Sequence, residues 1–229
     1  MLVRDRNMQK HKFLFWGISV MIMILTLFAL NGCSLGGEKI PKNRTKEQYE
    51  FEKTFEPMFK FLEQEKKDFT GLKLYKNSIY IESGNVVKNY EVFLNTNNSD
   101  IKGNYTIKIG DKKESVPVTY SSGKLQYESE LDPLFDEEIL NLVVQRDYFA
   151  SLDIKETFKS AETELSDIIY QPENQSDLYK YLKNKYDMPD DTTCRIIVSY
   201  SSYTIYGITI QMNSKDKTVQ LDLTIFKQK

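Results

Sequence analysis

Tyr105-Thr106-Ile107-Lys108-Ile109 sets the period for the middle of this chain. Its apolar residues recur at every second position with polar residues between them, as a strand with one buried and one solvated face requires. The same period marks Ser78–Ile81, Tyr90–Leu94, Val116–Tyr120 and Lys124–Tyr127. The polar loop Asn95–Gly103 and the turn Ser121-Ser122-Gly123 separate neighbours, so these strands are expected to pair as antiparallel hairpins. Three more strands are predicted at the end of the chain. In the last of them Val219, Leu221, Leu223 and Ile225 face one way, and Gln220, Asp222 and Thr224 the other.

Helical spacing appears outside these runs. Tyr49, Phe55, Phe59 and Leu62 recur near every third or fourth residue. Pro57 should split or kink that segment, because proline lacks the amide donor and its ring clashes with the preceding turn; Gly71 should end it. Asp132-Pro133 is a helix start, a capping residue followed by proline, with Phe135, Ile139, Leu142 and Val143 as the buried face. Ser176 is the expected N-cap of a short helix through Leu178, Leu182 and Tyr186 that stops before Pro189. Residues 151–170 carry no clean period, and a loop followed by a strand near Ile168–Tyr170 is the nearest reading. Strand runs broken by separate helices predict an α+β fold: an antiparallel β-sheet with N-terminal, central and late helices packed on it.

The N-terminus reads as an export signal. Arg4, Arg6, Lys10 and Lys12 form a basic region, and Phe13–Leu30 is an apolar run of 18 residues, roughly 27 Å as a helix. Leu30-Asn31-Gly32-Cys33 closes it as a bacterial lipobox, with a small residue directly before the cysteine and a branched aliphatic three positions upstream. Residues 1–32 are therefore the expected signal peptide. Residues 33–44 are the lipidated Cys33 and a flexible tether, and residues 45–229 a single globular domain. Diacylglyceryl and N-acyl groups on Cys33 would hold the protein on the extracytoplasmic face of the cell membrane. Two chains burying ~30 methylenes at ~0.8 kcal/mol each give an upper bound near ~24 kcal/mol, enough without a second anchor.

Composition narrows the chemistry. His11 and Trp16 are the only residues of their kinds and both lie in the leader, so a mature chain has no imidazole. That excludes His-assisted nucleophiles and His-containing metal sites. With Cys33 acylated, Cys194 is the sole free thiol and reads as a small core residue. The mature chain keeps 27 bases against 32 acids, about −5, a balance that argues against nucleic acid as a partner. Glu137-Glu138 and Asp190-Asp191 are adjacent pairs, not carboxylates opposed across a cleft, and read as solvated charge. Asn95, Asn97 and Ser99 have calcium-loop spacing, but Asp100 stands where the turn glycine belongs and no Glu closes the loop. No catalytic group, cofactor or metal is expected.

Tyrosine is the suggestive residue. All 15 fall after the leader, with Tyr200, Tyr203 and Tyr206 in one predicted hairpin and Tyr179, Tyr181 and Tyr186 near the late helix. Tyrosine offers large contact area and one polar tip at small entropic cost, which suits partner recognition. The competing and favoured reading is that tyrosines edge a β-rich core.

Four features in order carry a family resemblance: the Gly32-Cys33 lipobox, Phe51-Glu52-Lys53-Thr54 with a proline soon after, the strand-rich middle, and Leu182-Lys183-Asn184-Lys185-Tyr186-Asp187-Met188-Pro189 before a strand hairpin. Together they resemble the tandem-type lipoproteins of staphylococci. The resemblance implies a surface lipoprotein encoded beside paralogues, sensed by host Toll-like receptors through its lipid and connected with invasion of host cells. It transfers no active site, only Cys33. The expected function is thus a non-enzymatic, membrane-anchored surface lipoprotein in host interaction, with Tyr200, Tyr203 and Tyr206 as the contact face for a host protein. The alternative is a solute-binding lipoprotein serving a transporter, which a deep pocket with convergent polar groups would favour.

Overall fold

Ten strands form one antiparallel sheet: β1 (Leu72–Ser83), β2 (Val86–Asn95), β3 (Ile101–Ile109), β4 (Lys112–Ser121), β5 (Lys124–Tyr127), β6 (Asp153–Ser160), β7 (Leu165–Gln171), β8 (Thr193–Ser201), β9 (Ile205–Asn213) and β10 (Lys217–Lys227). The computed structural model describes residues 39–65, 72–96, 100–121, 124–128, 146–162, 165–174, 176–201 and 205–227. The spatial order is β5-β4-β3-β2-β1-β10-β9-β8-β7-β6. Two five-strand meanders are therefore joined where the first strand pairs with the last, Ile79 opposite Leu221 and Ile81 opposite Val219. Every sequence-predicted strand from Ser78 to Tyr127 is present, and the three closing strands are β8, β9 and β10.

One face of the sheet is apolar because the strands keep their period across all these pairings. Tyr90, Val92, Leu94, Tyr105, Ile168, Ile196, Val198, Ile208, Ile210, Val219 and Leu223 are buried on it. The opposite face is a polar ladder. Arg195 Nε donates to Gln211 Oε1 at 2.6 Å, Gln211 Nε2 to Gln220 Oε1 at 2.5 Å, and Thr209 Oγ1 to Asp222 Oδ1 at 2.6 Å. The two edges are blunted in different ways. β5 has four residues, and β6 carries Lys155, Glu156 and Lys159 with a register shift between Ile154 and Glu156. Charge and a bulge at an edge both discourage pairing with another chain.

Gly103 is needed where it stands. A Cβ there would meet the carbonyl oxygen of Phe93, on the neighbouring strand, at 1.7 Å. No side chain fits that gap.

The helices are four and short among the described residues: α1 (Lys46–Lys53), α2 (Glu56–Glu65), α3 (Arg146–Ser151) and α4 (Asp177–Lys185). This corrects the expected α+β fold with N-terminal, central and late helices packed on the sheet. The described chain is mostly antiparallel β-sheet with little helix packing. The physical reason is that Asp153–Ser160 and Leu165–Gln171 are paired strands, β6 and β7, and β1 and β10 run to 12 and 11 residues. The sheet supplies most of its own core, and the helices add single turns of it through Phe55, Met58, Phe59, Phe149, Leu178 and Leu182. The central helix expected from Asp132 lies outside the described residues.

Local signals set the helix ends. Thr45 caps α1: its Oγ1 accepts from Gln48 N at 3.1 Å while Gln48 Oε1 accepts from Thr45 N at 2.9 Å, a reciprocal capping box. Pro57 does split the N-terminal segment, sitting in the first turn of α2, where its missing donor costs nothing. Ser176 caps α4 as expected. At the other end Asp187 takes a left-handed φ of 46°. Met188 N donates back to Lys183 O at 2.9 Å and Asp187 N to Asn184 O at 3.3 Å, which is a Schellman stop. Lys217 Nζ donates to the carbonyl of Tyr186, and buried Met188 seals the turn. The Lys-Tyr-Asp-Met-Pro stretch behind the family resemblance is thus a helix terminator. Residues Lys42–Lys229 form one compact unit.

Candidate functional site

A single register row crosses all ten strands: Tyr127, Val118, Gly103, Leu94, Tyr75, Ile225, Tyr206, Tyr200, Ser166 and Lys159. Val118, Leu94, Tyr75, Ile225 and Tyr206 are buried. After Tyr206 the row turns polar although it stays on the same face of the sheet. Phe51 and Thr54, at the C-terminal end of α1, face this part of the row. The result is a shallow cleft of about 400 Å³ lined by Phe51, Thr54, Lys159, Ser160, Ala161, Ser166 and Tyr200.

Tyr200 is half-buried and its ring stacks on Tyr206, with centroids 5.4 Å apart and planes 26° apart. Tyr206 is only 7% exposed, and burial followed by the neighbouring Tyr200 hydroxyl pushes its pKa up. The pair presents Tyr200 to solvent and keeps Tyr206 as its backing. Tyr203 lies outside the described residues. The tyrosines near the late helix divide the same way: Tyr179 and Tyr186 are buried in the core, while Tyr181 is exposed.

A buried ion network centred on Glu52 ties α1 to β7 and α3. Glu52 takes Arg44 in two-point fashion, Nε to Oε2 at 3.1 Å and Nη2 to Oε1 at 3.2 Å. Tyr170 Oη, from β7, donates to Glu52 Oε1 at 2.6 Å. Arg146 of α3 approaches Glu52 Oε2 at 3.5 Å and binds Glu56 Oε2 through Nε at 3.1 Å. Arg44 then donates to the carbonyls of Asn43 (3.0 Å), Phe149 (3.0 Å) and Leu152 (2.5 Å). Burial and then the Glu52 carboxylate drive the Tyr170 pKa far above its usual value, so the hydroxyl stays a donor. A carboxylate with this many donors is satisfied, and it fixes Phe51 and Thr54 on the same helix as one wall of the cleft.

By sequence Arg44 belongs to the tether and Glu52 only to a short motif. The structure brings them together with residues about one hundred positions away. Thr54 closes α1 with Oγ1 donating to Phe51 O at 2.6 Å. Cys33 lies outside the described residues. Cys194 is buried on the apolar face, and burial pushes its thiol up to about 12, which leaves it an inert core residue as its sequence context suggested. Among the described residues no three of His, Cys, Asp and Glu converge as metal ligands, and no helix is long and apolar enough to cross a membrane.

Comparison with known proteins adds little. No family model matches the chain, and no curated protein does. Among solved structures, an N-terminal dehydratase from the difficidin assembly line aligns at 8% identity, covering 76% of this chain and 85% of its own, with a TM-score of 0.19. The dehydratase domain from the CurH module of curacin polyketide synthase aligns at 9% identity, covering 76% and 82%, with a TM-score of 0.16. Scores at that level carry no argument about fold or chemistry.

Proposed function

We propose that this protein is a bacterial surface lipoprotein, held on the extracytoplasmic face of the membrane by acyl chains on Cys33, whose domain binds a host-surface partner without catalysing a reaction. The observation that carries the reading is the Leu30-Asn31-Gly32-Cys33 lipobox behind a basic and then apolar leader. The likeness to staphylococcal tandem-type lipoproteins supports it. The domain's arrangement is compatible with binding: Glu52, the only buried carboxylate among the described residues, is committed to Arg44, Arg146 and Tyr170. The groups left exposed at the end of the same helix form a shallow recognition cleft around Tyr200. A solute receptor encloses its ligand, and among the described residues this cleft is open on one side.

The anchor is tested on the native protein. Mass spectrometry of its N-terminal peptide should give a diacylglyceryl-modified Cys33, and detergent phase partition should carry the protein into the detergent phase. An N-terminus elsewhere, or a protein left in the aqueous phase, refutes the anchor. Retention of the protein on host membranes tests the binding half of the reading.

A further inference from the structure

We propose that the cleft between the end of α1 and the β6–β7 hairpin is a subsite for an acidic pyranose, a uronic or sialic acid carried on a host glycan. This deepens, and rests on, the reading of the domain as a host-surface binder. Three features of the cleft select that chemistry. Lys159 supplies one exposed cation, a charge that a carboxylate can pair with. Ser166 and Tyr200, together with Ser160, place hydroxyls beside it, and hydroxyls both donate and accept, as the polyol edge of a sugar requires. Phe51 and Tyr200 then give aromatic surface against which the apolar face of a sugar ring packs.

Register supports the same arrangement. Lys159 is directly opposite Ser166, and Ser166 directly opposite Tyr200, so Lys159 and Tyr200 stand two strand spacings apart, about 9.6 Å at the backbone. A carboxylate on Lys159 Nζ therefore leaves room for a ring over Ser166 and against Tyr200. The platform is stiff, since Tyr200 is stacked on buried Tyr206 and the opposite wall is fixed through Glu52. A stiff site loses less to ordering when its ligand arrives. A nucleic acid or polyphosphate would want several cations, and this cleft offers one.

The probes are N-acetylneuraminic acid and glucuronic acid, titrated by NMR against the detergent-solubilised full chain. Controls are the methyl ester of each acid and inorganic phosphate. Free monosaccharides should bind weakly, and esterification or Lys159→Gln should weaken binding at least about tenfold, the loss of one charge-assisted hydrogen bond. Tyr200→Ala should weaken both acids while Tyr200→Phe keeps the stacking and most of the affinity. An unchanged thermal midpoint for Lys159→Gln excludes misfolding. Equal binding of acid and ester, equal binding by Lys159→Gln, or phosphate binding as well as the sugars each overturns the proposal. Retention on host membranes undiminished by Lys159→Gln and by sialidase treatment would sink the sugar subsite while leaving the surface-binding reading intact. Sugar binding without any retention on host membranes would do the reverse.

Discussion

Replacing Glu52 by Gln keeps the shape and the acceptor for Tyr170 but removes the charge between two guanidinium groups. The Arg44 side chain is 1% exposed, so it cannot turn to water for compensation. Removing one partner of a buried pair costs about 3–5 kcal/mol, because the remaining charge is left desolvated and unpaired. Arg146 should matter less, since its side chain is 22% exposed and keeps Glu56. With a urea dependence of about 2 kcal/mol per molar, the Glu52→Gln midpoint should fall by about 2 M. Glu56→Gln, which breaks only the part-exposed pairs with Arg146 and Lys60, should cost no more than about 1 kcal/mol. The double variant Arg44→Met/Glu52→Leu tests the bookkeeping differently. Apolar replacement of a buried pair is often neutral, yet here it strands the Tyr170 hydroxyl and takes one donor each from the carbonyls of Phe149 and Leu152, which keep Leu152 N and Asn43 Nδ2, so only partial recovery is expected. Urea unfolding followed by fluorescence or circular dichroism measures all four proteins. A loss below about 1 kcal/mol for Glu52→Gln would refute the claim that this network fixes α1 on the sheet.

Gly103→Ala should unfold the β2–β3 pairing or cost more than about 2 kcal/mol, since its Cβ would lie 1.7 Å from Phe93 O; Gly207→Ala, whose nearest neighbour would be at 3.6 Å, should be within about 1 kcal/mol of the parent in the same urea experiment. Asp187→Gly should raise stability by about 0.5–1 kcal/mol by relieving the left-handed φ at the helix stop, and Asp187→Val should lower it by at least as much. Raising pH should also destabilise the fold. Burial pushes the folded Cys194 thiol up to about 12 from an ordinary 9.0, so its contribution is complete below pH 9 and is lost between pH 9 and 12, at up to about 1.4 kcal/mol per pH unit. Tyr148 and Tyr170, also raised by burial, add to the same loss. Comparing urea midpoints at pH 8 and pH 11 for the parent and Cys194→Ala isolates the thiol's share, and an identical slope in both would show that Cys194 ionises freely.

What was legible in the sequence, and what was not, follows from the range of the interactions. Strands β1–β5 and β8–β10 could be read because alternation is a local property, and each hairpin partner lies next in sequence. Thr45, Pro57, Ser176 and Asp187 act within one helical turn, so the helix ends were readable or nearly so. The Glu52 network was not, because Arg146 and Tyr170 stand 94 and 118 residues from Glu52. A glutamate in a short motif looks like any solvated carboxylate until the fold closes over it. The failure at residues 151–170 has a different cause. In β6 the large apolar Phe158 points outward, 49% exposed, while Lys159 takes the next position on the face that elsewhere forms the core. That inversion breaks the period on which a strand is recognised. It also puts a cation and Ser166 where Leu94 and Ile225 stand in the same row. Local rules are expected to fail at positions selected for something other than folding. The unreadable stretch and the proposed subsite are therefore one feature: swapping Phe158 and Lys159 would give a cleaner strand and, by this reasoning, a more stable protein with no cation in its cleft.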